Sequence, residues 1–173
     1  MQQSLRGSEI ALVPQSVAFL DPLMKVGKQA DGHKKPNPTE KRRGLFKRFA
    51  LPEKTENLYP FQLSGGMARR VLVSTALITD AQLIIADEPT PGMSLSQALE
   101  ALQMFRELAN EGKAVIIITH DIDLAFEFAD RVAVFYAGTT VETAPVSDFK
   151  IGPDALRHPY SKALWRALPQ NGF

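Results

Sequence analysis

Two short, unbroken apolar runs separated by a helical stretch constrain the fold of this chain more than any other feature. Residues 82–87 (QLIIAD) and 114–120 (AVIIITH) each indicate a buried strand, because continuous apolar runs are typical of strands covered on both faces. Between them, residues 95–110 carry apolar side chains at helical spacing and stop before Gly112. This order predicts a parallel α/β sheet whose polar strand ends gather at its carboxyl edge.

The flanking segments complete the predicted organisation. Residues 9–15 indicate a short strand that Pro14 stops, and residues 17–50 indicate irregular structure with short helices. Ser64 is placed to cap a further helix. Residues 131–144 predict a hairpin that turns at Ala137 and Gly138.

Two adjacent carboxylates, Asp87 and Glu88, close the first apolar run. A carboxylate at a strand end can hold Mg²⁺, directly or through its water. A second carboxylate, one residue further on, projects differently and can orient or deprotonate a water molecule. The residues alone support equally well a pair of acids that cap the helix beginning at Leu95.

Two other segments carry related chemistry. His120 ends the second apolar run, where it can hydrogen-bond a phosphate oxygen or simply be a satisfied strand-end histidine. In residues 63–67 (LSGGM), two glycines precede a helix, so an anion can approach backbone N–H groups at the positive end of the helix dipole. A plain helix cap with a flexible turn explains the same residues equally well.

Charge and cysteine content narrow the classes of function. The chain has no cysteine, which excludes disulfides and thiolate metal sites. Its apolar runs are far shorter than the roughly 20 residues of a membrane-spanning helix. The net charge is only +1, yet residues 34–48 hold seven basic residues and one acid. This block predicts a solvated basic surface or an anion-binding patch.

Four segments, taken in order, carry a family resemblance: LVPQ, LSGGM, LIIADEPT and VIIITHD. They resemble the Q-loop, signature motif, Walker B segment and switch histidine of the nucleotide-binding subunits of ATP-binding cassette (ABC) transporters, and the match runs from about residue 9 to residue 144. Three segments, YPFQLSGGM, DEPTPG and HPYSKALWRALP, are similar to sequences of the peptide/nickel import subgroup. The fold that this resemblance implies is a P-loop NTPase (ABC ATPase) core, here incomplete, with a parallel sheet and a helical subdomain.

The resemblance also implies ATP and Mg²⁺ as cofactors and a role for each matching residue. Asp87 and Gln15 would hold Mg²⁺, Glu88 would polarise the attacking water, and His120 would contact the γ-phosphate. Gln15 would also couple the site to membrane subunits. The signature residues would contact the γ-phosphate of ATP bound on a second ABC ATPase subunit; they are Ser64, Gly65 and Gly66.

Domain boundaries, partners and location follow from the same resemblance. We expect a core strand and Q-loop in residues 1–16, a helical subdomain in 17–75, an ATPase core in 76–150 and a C-terminal tail in 151–173. The partners would be transmembrane permease subunits and, indirectly, an extracytoplasmic solute-binding protein. The location would be cytoplasmic, peripheral on the cytoplasmic face of the cell membrane.

The sequence departs from the family pattern in two places. Ser94 stands where the family usually has an aspartate, which bears on communication across a dimer. No G-x-x-x-x-G-K-[ST] occurs in the 173 residues, as though the first part of a cassette had been removed. We therefore expect this chain alone to bind ATP weakly and to hydrolyse it negligibly. We also expect the sheet to have an open edge, resolved by strand exchange between two copies, by pairing of residues 114–119 with 131–136, or by aggregation.

Three hypotheses of function follow. The first is an ATP-binding subunit of an ABC importer, or a truncated fragment of one, that couples ATP hydrolysis to uptake of peptide, nickel or a related solute. The second is a catalytically incompetent half-site or assembly module that offers its signature motif to a partner cassette. The least favoured is nucleic-acid binding through the basic block, since Phe46 and Phe49 are the only aromatic residues in reach for stacking on bases.

Overall fold

The computed structural model describes residues 9–31 and 38–168. The chain divides between His120 and Asp121 into two compact units. The four finer segments expected from the sequence, with boundaries after residues 16, 75 and 150, stay predictions. Within the described residues, no helix is both long and apolar enough to span a bilayer.

A three-stranded parallel sheet forms the centre of the first unit, as the sequence predicts. Its strands are β1 (Ile10–Val13), β2 (Leu83–Asp87) and β3 (Ala114–Ile118), and they lie side by side in that order. In the β1–β2 pair, Ile10 lies opposite Leu83. In the β2–β3 pair, Asp87 lies opposite Ile118. The carboxyl ends of β1, β2 and β3 therefore share one edge of the sheet.

Four α-helices accompany this sheet. They are α1 (Val26–Asp31), α2 (Pro38–Arg48), α3 (Gly65–Leu77) and α4 (Leu95–Asn110). Three short 3-10 helices cover Val17–Phe19, Glu53–Asn57 and Pro60–Gln62. The Ser64 hydroxyl caps α3 by accepting a hydrogen bond from the Met67 amide at 3.3 Å, which confirms the predicted cap. Helices α3 and α4 pack on β1 and β3, respectively.

The sheet is covered more completely on one face than on the other. Ala11 and Val13 of β1 and Ile84 and Ala86 of β2 are buried, whereas alternate positions on the strands are more open. Leu12, Ile116 and Ile118 are 53 %, 49 % and 51 % exposed. The prediction that both apolar runs are buried on both faces is therefore wrong, most clearly for β3, which contains no buried residue.

The second unit is built on an antiparallel hairpin. Its strands are β4 (Arg131–Tyr136) and β5 (Thr139–Pro145), and its helices are α5 (Ile122–Phe128), α6 (Val146–Ile151), α7 (Pro159–Arg166) and a 3-10 turn at Pro153–Ala155. Ala137 and Gly138 both have positive φ, 49° and 82°, as tight hairpin turns require, which confirms the predicted turn. A small core of four buried residues holds the unit together: Val134, Ala144, Phe149 and Leu156.

The expected pairing of residues 114–119 with 131–136 is not found. Strand β3 pairs with β2, and β4 pairs with β5 in a separate sheet. The second edge of β3 has no partner strand within the described residues. The backbone groups of an edge strand favour further pairing, so strand exchange and self-association stay predictions.

The described part of the basic block is a largely exposed helix face whose arginines are paired with acids of the same unit. Residues 34–37 of the block lie outside the described residues. In α2, Arg42 is buried and pairs with Asp31 and Glu56, and Arg43 pairs with Glu56 at 3.2 Å. Two further basic side chains have partners in the same unit: Lys41 donates to the Ile78 carbonyl, and Arg48 pairs with Glu100 and Glu107. The described part of the block is therefore not an open anion-binding patch.

Candidate functional site

Parallel pairing brings the predicted polar residues to one edge of the sheet. Asp87 ends β2, and Glu88 follows it. Gln15 lies two residues beyond the end of β1, and His120 lies two residues beyond the end of β3. The strand register therefore accounts for the meeting of residues that are up to 105 positions apart in the sequence.

Glu88 and His120 form the closest contact at this edge. The Glu88 Oε1 atom lies 2.7 Å from His120 Nδ1 and accepts a hydrogen bond from the His120 amide at 3.2 Å. The Glu88 side chain is only 14 % exposed, whereas that of His120 is 84 % exposed. Because an ionised carboxylate only accepts hydrogen bonds, Nδ1 carries the proton, and Nε2 is an acceptor in the neutral ring and a donor in the imidazolium.

The backbone at Glu88 is unusual and shapes this contact. Its φ is 47°, a left-handed conformation that costs a residue other than glycine roughly 1–3 kcal/mol. Its amide donates to the Ile118 carbonyl at 2.9 Å, so the β2–β3 ladder continues through Glu88. The different projection of the two acids that the sequence argument expects stays a prediction.

Arg69, which the sequence argument missed, connects helix α3 to this edge. Its buried guanidinium donates to the Pro14 carbonyl at 3.0 Å and to the Gln15 carbonyl. Burial lowers the pKa of Arg69, while the charges of Glu88 and Asp87 act in the opposite direction. Arg69 thus holds the chain around Gln15 within electrostatic reach of both acids. The available signal was a pair of arginines inside an otherwise apolar helical stretch.

The signature residues lie at the start of α3 and differ from one another in environment. Ser64 and Gly65 are exposed, and a Cβ added to Gly65 would meet nothing within 4 Å. A Cβ added to Gly66 would lie 2.6 Å from the Gly92 carbonyl oxygen. The contact with Gly92 therefore explains why position 66 is glycine, and of the two glycines only Gly65 is open to an approaching anion.

Ser94, the departure from the family pattern, has a local structural role. Its hydroxyl accepts a hydrogen bond from the Gln97 amide at 3.4 Å, and its own amide donates to Gln97 Oε1 at 3.2 Å. This reciprocal capping box begins α4. The helix that the sequence predicts after the acid pair is therefore capped by Ser94.

The donor set at the sheet edge fits a magnesium ion that arrives with a polyphosphate. Within the described residues, no group of three or more acids or histidines is arranged to hold a metal ion by itself. Mg²⁺ in nucleotide sites is usually held by one or two carboxylates together with phosphate oxygens and water. The Asp87 carboxylate and the Gln15 amide are oxygen donors of this kind, and both follow the ends of adjacent strands.

Known proteins share sequence with this chain along most of its length. Residues 1–91 match the family model described as ABC transporter. The oligopeptide transport ATP-binding protein OppD of Bacillus subtilis is 36 % identical over 178 residues, covering 96 % of this chain and 49 % of OppD. The dipeptide transport ATP-binding protein DppD of Escherichia coli is 34 % identical, covering 98 % and 54 %. This chain thus spans about half the length of these curated relatives.

A solved structure gives the same result for the fold. The dimeric ATP-binding cassette MJ0796, in a post-hydrolysis state bound to ADP and Pi, superposes with a TM-score of 0.71 at 27 % identity. The superposition covers 81 % of this chain and 64 % of MJ0796. The family model extends over Gln15, the LSGGM segment and the acid pair at Asp87 and Glu88, and the fold is that of a cassette ATPase. The chain therefore belongs to the ABC transporter family.

Proposed function

We propose that this chain is the ATP-binding subunit, or part of the ATP-binding subunit, of an importer that couples ATP hydrolysis to the uptake of peptides, nickel or a related solute. The contact between Glu88 and His120 beside Asp87 is the observation that carries the proposal. The relatives named as oligopeptide and dipeptide transport proteins support peptides as the solute class.

The proposed mechanism assigns one task to each side chain at the sheet edge. Asp87 and Gln15 hold Mg²⁺, which neutralises phosphate charge when it is bound. Glu88 uses Oε1 to orient His120, so Oε2 is left to orient a water molecule and take its proton. His120, with Nδ1–H held by Glu88 and a proton on Nε2 as well, donates from Nε2 to a phosphate oxygen. Because phosphoryl transfer depends mainly on positioning and charge stabilisation, this hydrogen-bonded pair is suited to it.

The proposed partners follow from the exposed signature segment and from the relatives. MJ0796 is described as dimeric, and Ser64 and Gly65 are exposed here as docking to a nucleotide on a second ABC ATPase subunit requires. Transmembrane permease subunits would bind the same assembly, with an extracytoplasmic solute-binding protein acting through them. The chain would then work at the cytoplasmic face of the cell membrane.

The test supplies the sequence element that these 173 residues do not contain. A strand–G-x-x-x-x-G-K-[ST]–helix segment is fused ahead of Glu9, and hydrolysis of Mg·ATP is measured. We expect activity that Glu88→Gln lowers roughly a hundredfold or more, because a general base is lost. Glu127→Gln, which alters an exposed acid of α5, is the control. Equal activity in the Glu88→Gln and Glu127→Gln fusions would refute the proposal.

A second candidate function rests on the exposure of Ser64 and Gly65. In it, the chain is a catalytically incompetent half-site or assembly module that completes the site of a partner. Mixing the 173-residue chain with an intact ABC ATP-binding subunit would then raise ATP hydrolysis. The rise should vanish with Ser64→Arg and persist with Glu88→Gln. No rise on mixing excludes this candidate.

A further inference from the structure

Gly66 is in contact with the turn that follows the acid pair. The ideal Cβ position of Gly66 lies 2.6 Å from the Gly92 carbonyl oxygen and 3.7 Å from the Gly92 carbonyl carbon. Real Cβ atoms do not approach backbone oxygen so closely, so only glycine allows the start of α3 to lie against Gly92. The neighbouring Gly65 has no such contact, although it lies in the same turn of the same helix.

The Gly66 peptide is also held from its other side. Arg70 Nε donates to the Gly66 carbonyl at 3.1 Å, and Arg70 Nη1 donates to the Phe49 carbonyl at 2.7 Å. Arg70 is buried, and burial lowers its pKa. The start of α3 is therefore fixed to the end of α2 and cannot move aside to accept a larger residue at position 66.

The chain between Gly92 and Glu88 is short and stiff. Pro89 is fully buried, Pro91 restricts the backbone, and the Met93 amide donates to the Thr90 carbonyl at 3.1 Å to close a turn. Because this turn has little freedom, a shift at Gly92 is transmitted to Glu88. Glu88 in turn holds His120.

We infer that Gly66 is a positioning residue: its contact with Gly92 sets the position of the 89–92 turn and thereby of the Glu88–His120 pair. The functional meaning rests on the proposed function, since Ser64 and Gly65 would face a partner's nucleotide while Glu88 faces the chain's own. The contact then links the two nucleotide positions within one chain, through backbone packing alone.

The test uses the 173-residue chain without nucleotide, so its outcome is independent of ATP hydrolysis. Gly66→Ala and Gly65→Ala each add one methyl group to the first turn of α3, and only the first meets Gly92. Amide hydrogen exchange is followed at Met93 and His120, together with the ring ¹⁵N shifts of His120. We expect Gly66→Ala to accelerate exchange at both amides by roughly tenfold or more and to shift the Nδ1 resonance.

Gly65→Ala should leave exchange at both amides and the Nδ1 resonance as in the wild type. A merely global loss of stability would instead accelerate exchange at protected amides throughout the chain, including Val146 in the second unit. Unchanged exchange at Met93 in Gly66→Ala, equal effects of the two variants, or a uniform acceleration would each overturn the assignment.

A measurement on the wild-type chain covers the case in which Gly66→Ala does not fold. The Ala68 amide, which donates to the Ser64 carbonyl at 2.9 Å, reports opening at the start of α3, and the Met93 amide reports opening of the turn. If the contact holds the two segments together, both amides open with the same dependence on added denaturant. Independent opening of the two amides would overturn the assignment.

Discussion

Arg69 shows how a single side chain organises the candidate site. It belongs to the helix that begins with the signature residues, it donates to two carbonyl groups at the end of β1, and it lies near both acids. Strand-end chemistry is visible in a sequence because short apolar runs end in polar residues, so Asp87, Glu88 and His120 could be predicted. The partners of Arg69 could not, because they are backbone atoms more than 50 positions away.

We predict that Arg69→Met destabilises the chain. The two carbonyl groups at Pro14 and Gln15 lose charged donors, which lowers the free energy of unfolding by roughly 1–3 kcal/mol. Urea denaturation measures this change, and Lys28→Met, at an exposed position of α1, is the control. Arg69→Lys should give an intermediate value, because one ammonium group does not reproduce a planar fork. Equal unfolding midpoints for Arg69→Met and Lys28→Met would contradict this role.

At the scale of elements, the arginines that the sequence concentrates in α2 form ion pairs with acids of other elements. Arg48 pairs with an acid of α4: its Nη1 and Nη2 atoms lie 2.8 and 3.1 Å from the two carboxylate oxygens of Glu107. Helix boundaries followed well from apolar spacing and caps, and α4 has the predicted bounds. The acidic partners of the basic side chains could not be predicted, because a run of basic residues does not show which acids lie near it in the folded chain.

We predict that this pairing weakens in acid. The hydrogen bond from Arg48 lowers the pKa of Glu107 from its ordinary value of 4.5. Stabilisation by the ionised carboxylate is therefore complete above about pH 4.5 and is lost as the pH falls through the lower, folded-state pKa. Because both side chains are partly exposed, Glu107→Gln should cost a few tenths to roughly 1 kcal/mol at pH 7.

Chemical denaturation at pH 7 and below pH 4 tests this pairing. The Glu107→Gln chain should approach the wild type in free energy of unfolding at the lower pH. Glu111→Gln, an acid just beyond α4 that forms no ion pair with a described residue, controls for the removal of a carboxylate. An equal deficit of Glu107→Gln at both pH values would show that the pair with Arg48 does not act through charge.

For the whole molecule, the sheet is the main difference between prediction and structure. Continuous apolar runs predicted strands buried on both faces, yet β3 is an edge strand with Ile116 and Ile118 half exposed. A run of isoleucines indicates that a strand is suited to burial. It does not indicate which element covers each face of that strand. The parallel order and the register that assembles the site are unaffected, since they depend on β1–β2 and β2–β3 pairing.

We predict that the open edge and the exposed apolar residues of β3 cause self-association. Sedimentation velocity should show dimers or larger species that increase with concentration. Ile116→Lys should reduce this association, because a charge on an edge strand opposes further pairing. Leu23→Lys, at a largely exposed position away from the sheet, is the control. A wild-type chain that stays monomeric at every concentration would contradict the prediction.

The central claim is that Gln15, Glu88 and His120 face the terminal phosphate of a nucleotide. Titration of the ¹⁵N-labelled chain with Mn²⁺ and ATP tests it, since Mn²⁺ replaces Mg²⁺ at oxygen ligands and broadens nearby resonances even when binding is weak. We predict that the amides of Gln15, Glu88 and His120 broaden first, that Mn²⁺ alone has a smaller effect, and that Asp87→Asn abolishes the difference. Broadening that spares these three amides, or that appears first in the second unit, would contradict the account.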